Sequence, residues 1–149
     1  MEESITLKDF LAYYKKTMRL EPVDAGSYSP LVLAYIGDAV YEVMIRARVI
    51  NRGSMQVNKM HKRSAMLVNA GTQAQLIRSI EEELTPQEHA VYKRGRNAHS
   101  ASSAKNASIR DYRMATGFEA LVGYLYLTGQ YERLLKLVHD GLERIGEFS

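Results

Sequence analysis

Cysteine is missing altogether from the 149 residues. With it go disulfides, thiolate-held zinc, iron–sulfur clusters and thiol catalysis. Such a chain suits a reducing compartment, and a cytoplasmic location is the expectation. No apolar run reaches the roughly 18 residues of a membrane span. The best candidate, Leu31 to Ile50, is interrupted by Asp38, Glu42, Arg46 and Arg48. Met1 to Phe10 holds Glu2, Glu3 and Asp9 with no apolar core, so it does not read as a secretory leader. The histidines His61, His89, His99 and His139 lack metalloprotease spacing, and neither a P-loop nor a dinucleotide fingerprint occurs. Strand-like alternation and internal repeats are absent as well.

What is there describes an ordinary globular chain. With 46% hydrophobic and 25% charged residues, disorder and collagen-like structure are excluded, and the length suits one domain over residues 1–149. The net charge of +3 is unevenly spread. Lys93, Arg94, Arg96, Lys105, Arg110 and Arg113 stand against Asp111 alone, so this segment is strongly basic and the rest slightly acidic. A local basic stretch on a nearly neutral body suggests a polyanion site.

The periodicity predicts an all-α fold of about seven helices, two of them largely buried. Thr6 and Asp9 resemble a capping box ahead of Leu7, Phe10, Leu11 and Tyr14. Ser29-Pro30 opens a helix that runs to about Asn51, with Gly53 as its stop. Its apolar residues cover nearly the whole circumference, which implies a central, buried helix. Ser54 is the expected cap of the next helix, Thr72 the start of a short one, and Thr85-Pro86-Gln87-Glu88 a capping box. Asn97 to Ser108, rich in Ala, Ser and Asn, reads as a surface loop. Met114, Phe118, Leu121, Val122 and Leu125 mark the next helix. The last one turns Tyr131, Leu134, Leu135, Val138, Leu142 and Ile145 inward.

Two acids on the most apolar helices lack local partners. Asp38 has Ala34, Tyr35, Tyr41 and Glu42 at helical neighbour positions, and Glu119 has Ala115, Thr116, Val122 and Gly123. Glu42, by contrast, has Arg46 one turn on. An unpaired buried carboxylate must find a tertiary partner, a metal or a proton. Converging acids of this kind form an oxygen-ligand site for Mg²⁺, which activates water and neutralises phosphodiester oxygens. The competing reading makes Asp38 a hydrogen-bonded structural acid, Glu119 a helix-rim residue and the basic stretch a solvated face.

These residues resemble a family. Leu33-Ala34-Tyr35-Ile36-Gly37-Asp38-Ala39-Val40-Tyr41-Glu42 looks like the signature helix of the ribonuclease III catalytic domain. Phe118-Glu119-Ala120-Leu121-Val122-Gly123-Tyr124-Leu125 resembles its second motif, and Lys93-Arg94-Gly95-Arg96-Asn97 a variant of its glycine-containing loop. The family's further acids fall on Leu31, Ala34 and Thr116. No double-stranded-RNA-binding domain follows, and this reduced set is similar to the compact bacterial Mini-ribonuclease III group.

The resemblance implies Mg²⁺-dependent endonucleolytic cutting of double-stranded RNA, with Asp38 and Glu119 as catalytic metal ligands. It further implies a homodimer and maturation of 23S ribosomal RNA precursor ends, with a ribosomal protein as a potential aid. Lys93, Arg94, Arg96, Asn97, His99, Lys105 and Arg110 are the candidate RNA contacts. Lys59, Lys62 and Arg63 could add to them. Two alternatives stand beside this reading: a non-catalytic RNA-binding or ribosome-assembly module of the same fold, and a helical protein-interaction domain.

Overall fold

Capping chemistry sets most of the element boundaries. The computed structural model describes residues 7–53, 56–98 and 108–147, which form seven α-helices and two short 3-10 turns with no strand. They are α1 (Leu7–Thr17), α2 (Pro30–Asn51), α3 (Val57–Val68), α4 (Ala70–Ile80), α5 (Pro86–Arg96), α6 (Ile109–Leu127) and α7 (Tyr131–Arg144). The all-α expectation therefore holds. Ser29 caps α2 through the Val32 amide, with Pro30 in the first turn. Thr85 and Glu88 form the full capping box of α5. Gly53 and Gly129 take the positive φ angles that end α2 and α6.

Two boundaries differ from the sequence reading. Helix α4 begins at Ala70, because the Asn69 side chain accepts from the Thr72 amide at 2.8 Å and draws Thr72 inside the first turn. Helix α3 is preceded by Gln56 with no side-chain cap. Ser54 lies outside the described residues, as do Thr6 and most of the segment read as a loop.

The core is organised around α6, which buries Met114 to Phe118 and Ala120 to Leu125 almost without a break. Helix α2 crosses it at backbone distance. A Cβ added to Gly37 would lie 1.8 Å from the Glu119 carbonyl oxygen, and one added to Gly123 would lie 2.0 Å from that of Leu33. Helix α5 also packs closely on α6, though less so: a Cβ added to Gly95 would lie 2.8 Å from the Ala120 Cβ. Tyr41 and Phe118 meet edge to face at 5.2 Å across the first contact, and the Tyr41 hydroxyl donates to the Leu67 carbonyl of α3 at 2.8 Å.

Helix α7 is tied down by Arg133, which donates to both Glu88 carboxylate oxygens at 2.9 Å. Burial alone would raise the Glu88 pKa, but Arg133 and the Thr85 cap outweigh it and hold it below its usual value.

Two packing expectations need correction. Helix α2 is not buried on most sides: Leu31, Val32, Tyr35, Val43 and Ile50 are exposed along one of its faces. On α7, Leu135 faces solvent while Leu137 is buried. Both residues flank the apolar stripe at opposite edges, so the period alone does not choose between them.

The glycine crossing yields a stability prediction. Gly123→Ala should cost about 3 kcal/mol, since its methyl group would meet fixed backbone rather than a yielding side chain. The matched control, Ala65→Gly on the exposed side of α3, should cost only about 1 kcal/mol. Equal melting-temperature losses for the two would mean that the close approach does not limit the fold.

Candidate active site

The crossing that excludes a side chain at position 37 is what brings the next residue, Asp38, beside Glu119. The Gly37 Cα sits over the Glu119 carbonyl, so the two acids emerge on the same side of the α2–α6 contact. Their carboxyl groups lie within hydrogen-bonding reach of each other. Burial first, then the hydrogen bond and charge of Asp38, push the Glu119 pKa up to about 8, against a partial opposing effect from Gln73. Near neutral pH the pair therefore holds a proton that a cation could replace.

Asp38 itself is exposed rather than buried, and Glu119 is half-buried. This corrects the expectation of two buried acids: α2 presents Asp38 at the rim of its open face, where solvent and substrate have access. Tyr41 stands one helical turn beyond Asp38. Burial, with the charges of Glu147 and Glu119, raises its phenol pKa, so it stays neutral. Glu42 pairs with Arg46 at 3.0 Å, as the spacing predicts, and takes no part.

Gln73 is the participant that sequence reading missed. It is 2% exposed, and its amide nitrogen donates to the Val68 carbonyl at 2.8 Å. Its side-chain oxygen is buried with no hydrogen-bond partner among the described residues. A signal was present: Gln73, Leu76, Ile77 and Ile80 form one apolar stripe whose first position is polar.

The candidate RNA contacts divide. Lys93, Arg94, Asn97 and Arg110 are exposed and Arg96 is partly so, grouped around the end of α5 and the start of α6. His99 and Lys105 lie outside the described residues. Arg63 is engaged with Glu147 at 3.2 Å, while Lys59 and Lys62 are exposed on α3. Among the described residues no group of three or more His, Asp or Glu side chains is placed to hold a metal. Nor, among the described residues, is any helix long and apolar enough to cross a membrane.

A helical body with a carboxylate pair at the crossing of its two central helices is matched by the Ribonuclease III domain family over residues 31–130. The crystal structure of a Fusobacterium nucleatum protein superposes with a TM-score of 0.72 at 27% identity, covering 78% of this chain and 93% of that one.

The sequence relatives are more specific. The Mini-ribonuclease 3 of Clostridium tetani is 53% identical over 116 residues, 77% of each chain. That of Enterococcus faecalis is 46% identical over 126 residues, 83% of this chain and 96% of the relative. That of a Thermoanaerobacter species is 39% identical over 140 residues, 94% and 99% of the two chains. The chain belongs to the Mini-ribonuclease 3 family, and is an endoribonuclease of the ribonuclease III type that acts on double-stranded RNA.

The raised proton affinity of Glu119 bears on stability. A carboxyl whose folded pKa exceeds its unfolded value of 4.5 weakens the fold as pH rises, with the full penalty reached above about 8. In EDTA, Glu119→Gln should melt a few degrees above the parent at pH 8.5, by roughly 1 kcal/mol or more, with no gain at pH 4. A gain independent of pH would show that charge burial is not its source.

Proposed function

We propose that Asp38 and Glu119 hold a Mg²⁺ ion and orient the attacking water for hydrolysis of one strand of a duplex. The carrying observation is that two acids far apart in sequence come within hydrogen-bonding reach while one remains open to solvent. The donor set fits a hard cation: two carboxylates converge, and the buried Gln73 amide beside Glu119 favours its ionised form. The bound ion would supply neutralisation of phosphodiester charge and a more acidic water. The chain does the rest. Gly37 and Gly123 fix the spacing of the two carboxylates, and the Val68 carbonyl anchors Gln73 against Glu119. Exposed Asp38 meets the incoming backbone.

With two protein carboxylates, remaining coordination falls to waters and substrate phosphates, so the ion and the RNA bind interdependently. The catalytic body, read as one domain, also supplies duplex affinity. Exposed Lys93 and Arg94, with Arg96, Asn97 and Arg110 across α6 from Glu119, are assigned as phosphate and ribose contacts away from the cleavage centre, the groups through which RNA duplexes are mainly recognised. We assign the ends of 23S ribosomal RNA precursor as substrate, in the cytoplasm, with a ribosomal protein as a potential aid. Asp38→Asn or Glu119→Gln should lower duplex cleavage more than about 100-fold. Gel-shift affinity for the same RNA in EDTA, where no ion contributes, should stay within about threefold of the parent. Normal cutting by either variant removes that residue from the mechanism.

The open apolar face of α2 supports a homodimer. Leu31, Val32, Tyr35, Val43 and Ile50 lie within about a third of the helix circumference, and Tyr35 is 83% exposed. Asp38 borders this face, so a two-fold contact there would set two cleavage sites on opposite strands of one duplex. Tyr35→Glu with Val43→Glu should convert a dimer to a monomer in sedimentation, with cleavage falling in parallel. A parent chain that sediments as a monomer at micromolar concentration would overturn the dimer.

A further inference from the structure

Helix α6 separates two sites. Arg110, Arg113 and Met114 project from the side of α6 away from Glu119, since nine residues at 3.6 per turn place Arg110 diametrically opposite it. On that side lies a concavity of about 500 Å³ lined by Arg78 of α4, Tyr92 and Arg96 of α5, Asn97 at its C-terminal cap, and the three α6 residues. Four guanidinium groups face it against Glu81 alone. Arg78 has only a loose pairing with Asp111, at 3.8 Å. Among the described residues Arg96, Arg110 and Arg113 have no carboxylate partner.

A second observation is independent of the charge. Tyr92 is 0% exposed, lines the same concavity, and its buried hydroxyl has no hydrogen-bond partner among the described residues. Its polar neighbour is Arg96, which lies over the Tyr92 ring, 5.5 Å from its centre, and partly offsets the burial that raises the phenol pKa. An unsatisfied buried hydroxyl costs stability unless a ligand or water satisfies it.

We propose that this concavity is a phosphate-binding pocket, separate from the cleavage centre, that takes the terminal phosphate or diphosphate of a nucleotide. Guanidinium groups match phosphate oxygens in paired hydrogen bonds, and the Tyr92 hydroxyl donates a further one. The volume exceeds what a phosphate alone needs and falls in the range of small-ligand sites. Ile109 and Met114 supply apolar wall beside the cations. A phosphodiester in a duplex carries one charge and lies on a convex rod, whereas a terminal phosphate carries about two and can enter a recess. The carrier is either the 5′-phosphorylated end of an RNA or a free nucleoside diphosphate.

The pocket does not depend on the metal reading of Asp38 and Glu119, and its test keeps the two apart. Inorganic pyrophosphate, titrated into the full chain in EDTA by calorimetry, should bind more tightly than sulfate at equal ionic strength. Arg78→Ala and Arg113→Ala should each weaken it about tenfold, at unchanged melting temperature. Tyr92→Phe should weaken it less, without loss of stability. Asp38→Asn should bind it as the parent does while failing to cleave duplex RNA. Competition by GDP, or by a duplex with 5′-phosphate but not its 5′-hydroxyl counterpart, identifies the carrier. Pyrophosphate binding no tighter than sulfate, or unaltered in both arginine variants, overturns the pocket and leaves the cleavage centre standing.

Discussion

The structure depends on how closely α2 can lie against α6. At Gly37 and Gly123 the two backbones meet with no room for a methyl group on either side. Larger residues would hold helix axes at the usual 8–10 Å. Everything at the candidate active site is downstream of that contact. Asp38 follows Gly37 and Glu119 supplies the carbonyl on which Gly37 rests, so the carboxylates converge because the helices touch. The same contact orients Tyr41 against Phe118 and α3, behind the acids and away from solvent. A separation wider by the size of one methyl group would leave two unrelated surface acids.

That geometry sets a conflict between folding and chemistry. A carboxyl held half-buried beside another carboxyl resists ionisation, and burial contributes more to this than Asp38 does. The fold is more stable with a proton on Glu119, whereas the proposed cation needs that proton gone. Glu88 shows the opposite solution at the start of α5: it too is shielded from solvent, yet Arg133 and its own cap keep its pKa below the usual value. The protein thus has the means to satisfy a buried glutamate with an arginine, and does so where the acid is structural. At Glu119 it supplies an acid and an amide instead. Under-satisfaction of this kind is what the proposed role of Glu119 calls for, because a site built for ligand is under-satisfied without it.

The sequence carried the helices and both acids for local reasons. A serine before proline, a Thr-to-Glu capping box and glycines after apolar runs are short-range signals, and the backbone obeyed them at α2, α5 and α6. The lack of a cation one turn from Asp38 or Glu119 is also local. What needed the third dimension was hidden. The circumference of α2 reads as buried because an apolar face awaiting another surface has the composition of one already covered, and Asp38 was placed inside with it. Leu135 and Leu137 bracket the same stripe, and only the position of α4 decides which is covered. Gln73 and Arg78 lie on a helix with no motif, and nothing in the chain connects them to residues dozens of positions away.

The arrangement of charge around α6 then acquires a physical sense. Opposite charges crowded into one cleft would pair with each other, as Arg63 and Glu147 do elsewhere in the molecule, and neither would be free for a ligand. Setting Glu119 on one side of a nearly buried helix and the arginines on the other keeps low-dielectric core between them. Direct ion pairing cannot then quench either set. Each side retains a deficit: excess negative charge beside Asp38, excess positive charge around Tyr92. On the proposed mechanism a molecule that acts on a polyanion needs both, since cations would gather the substrate while the acids stay available for a cation that the substrate helps to hold. The buried thickness of α6, with α2 on one flank and α5 on the other, keeps the two functions from cancelling.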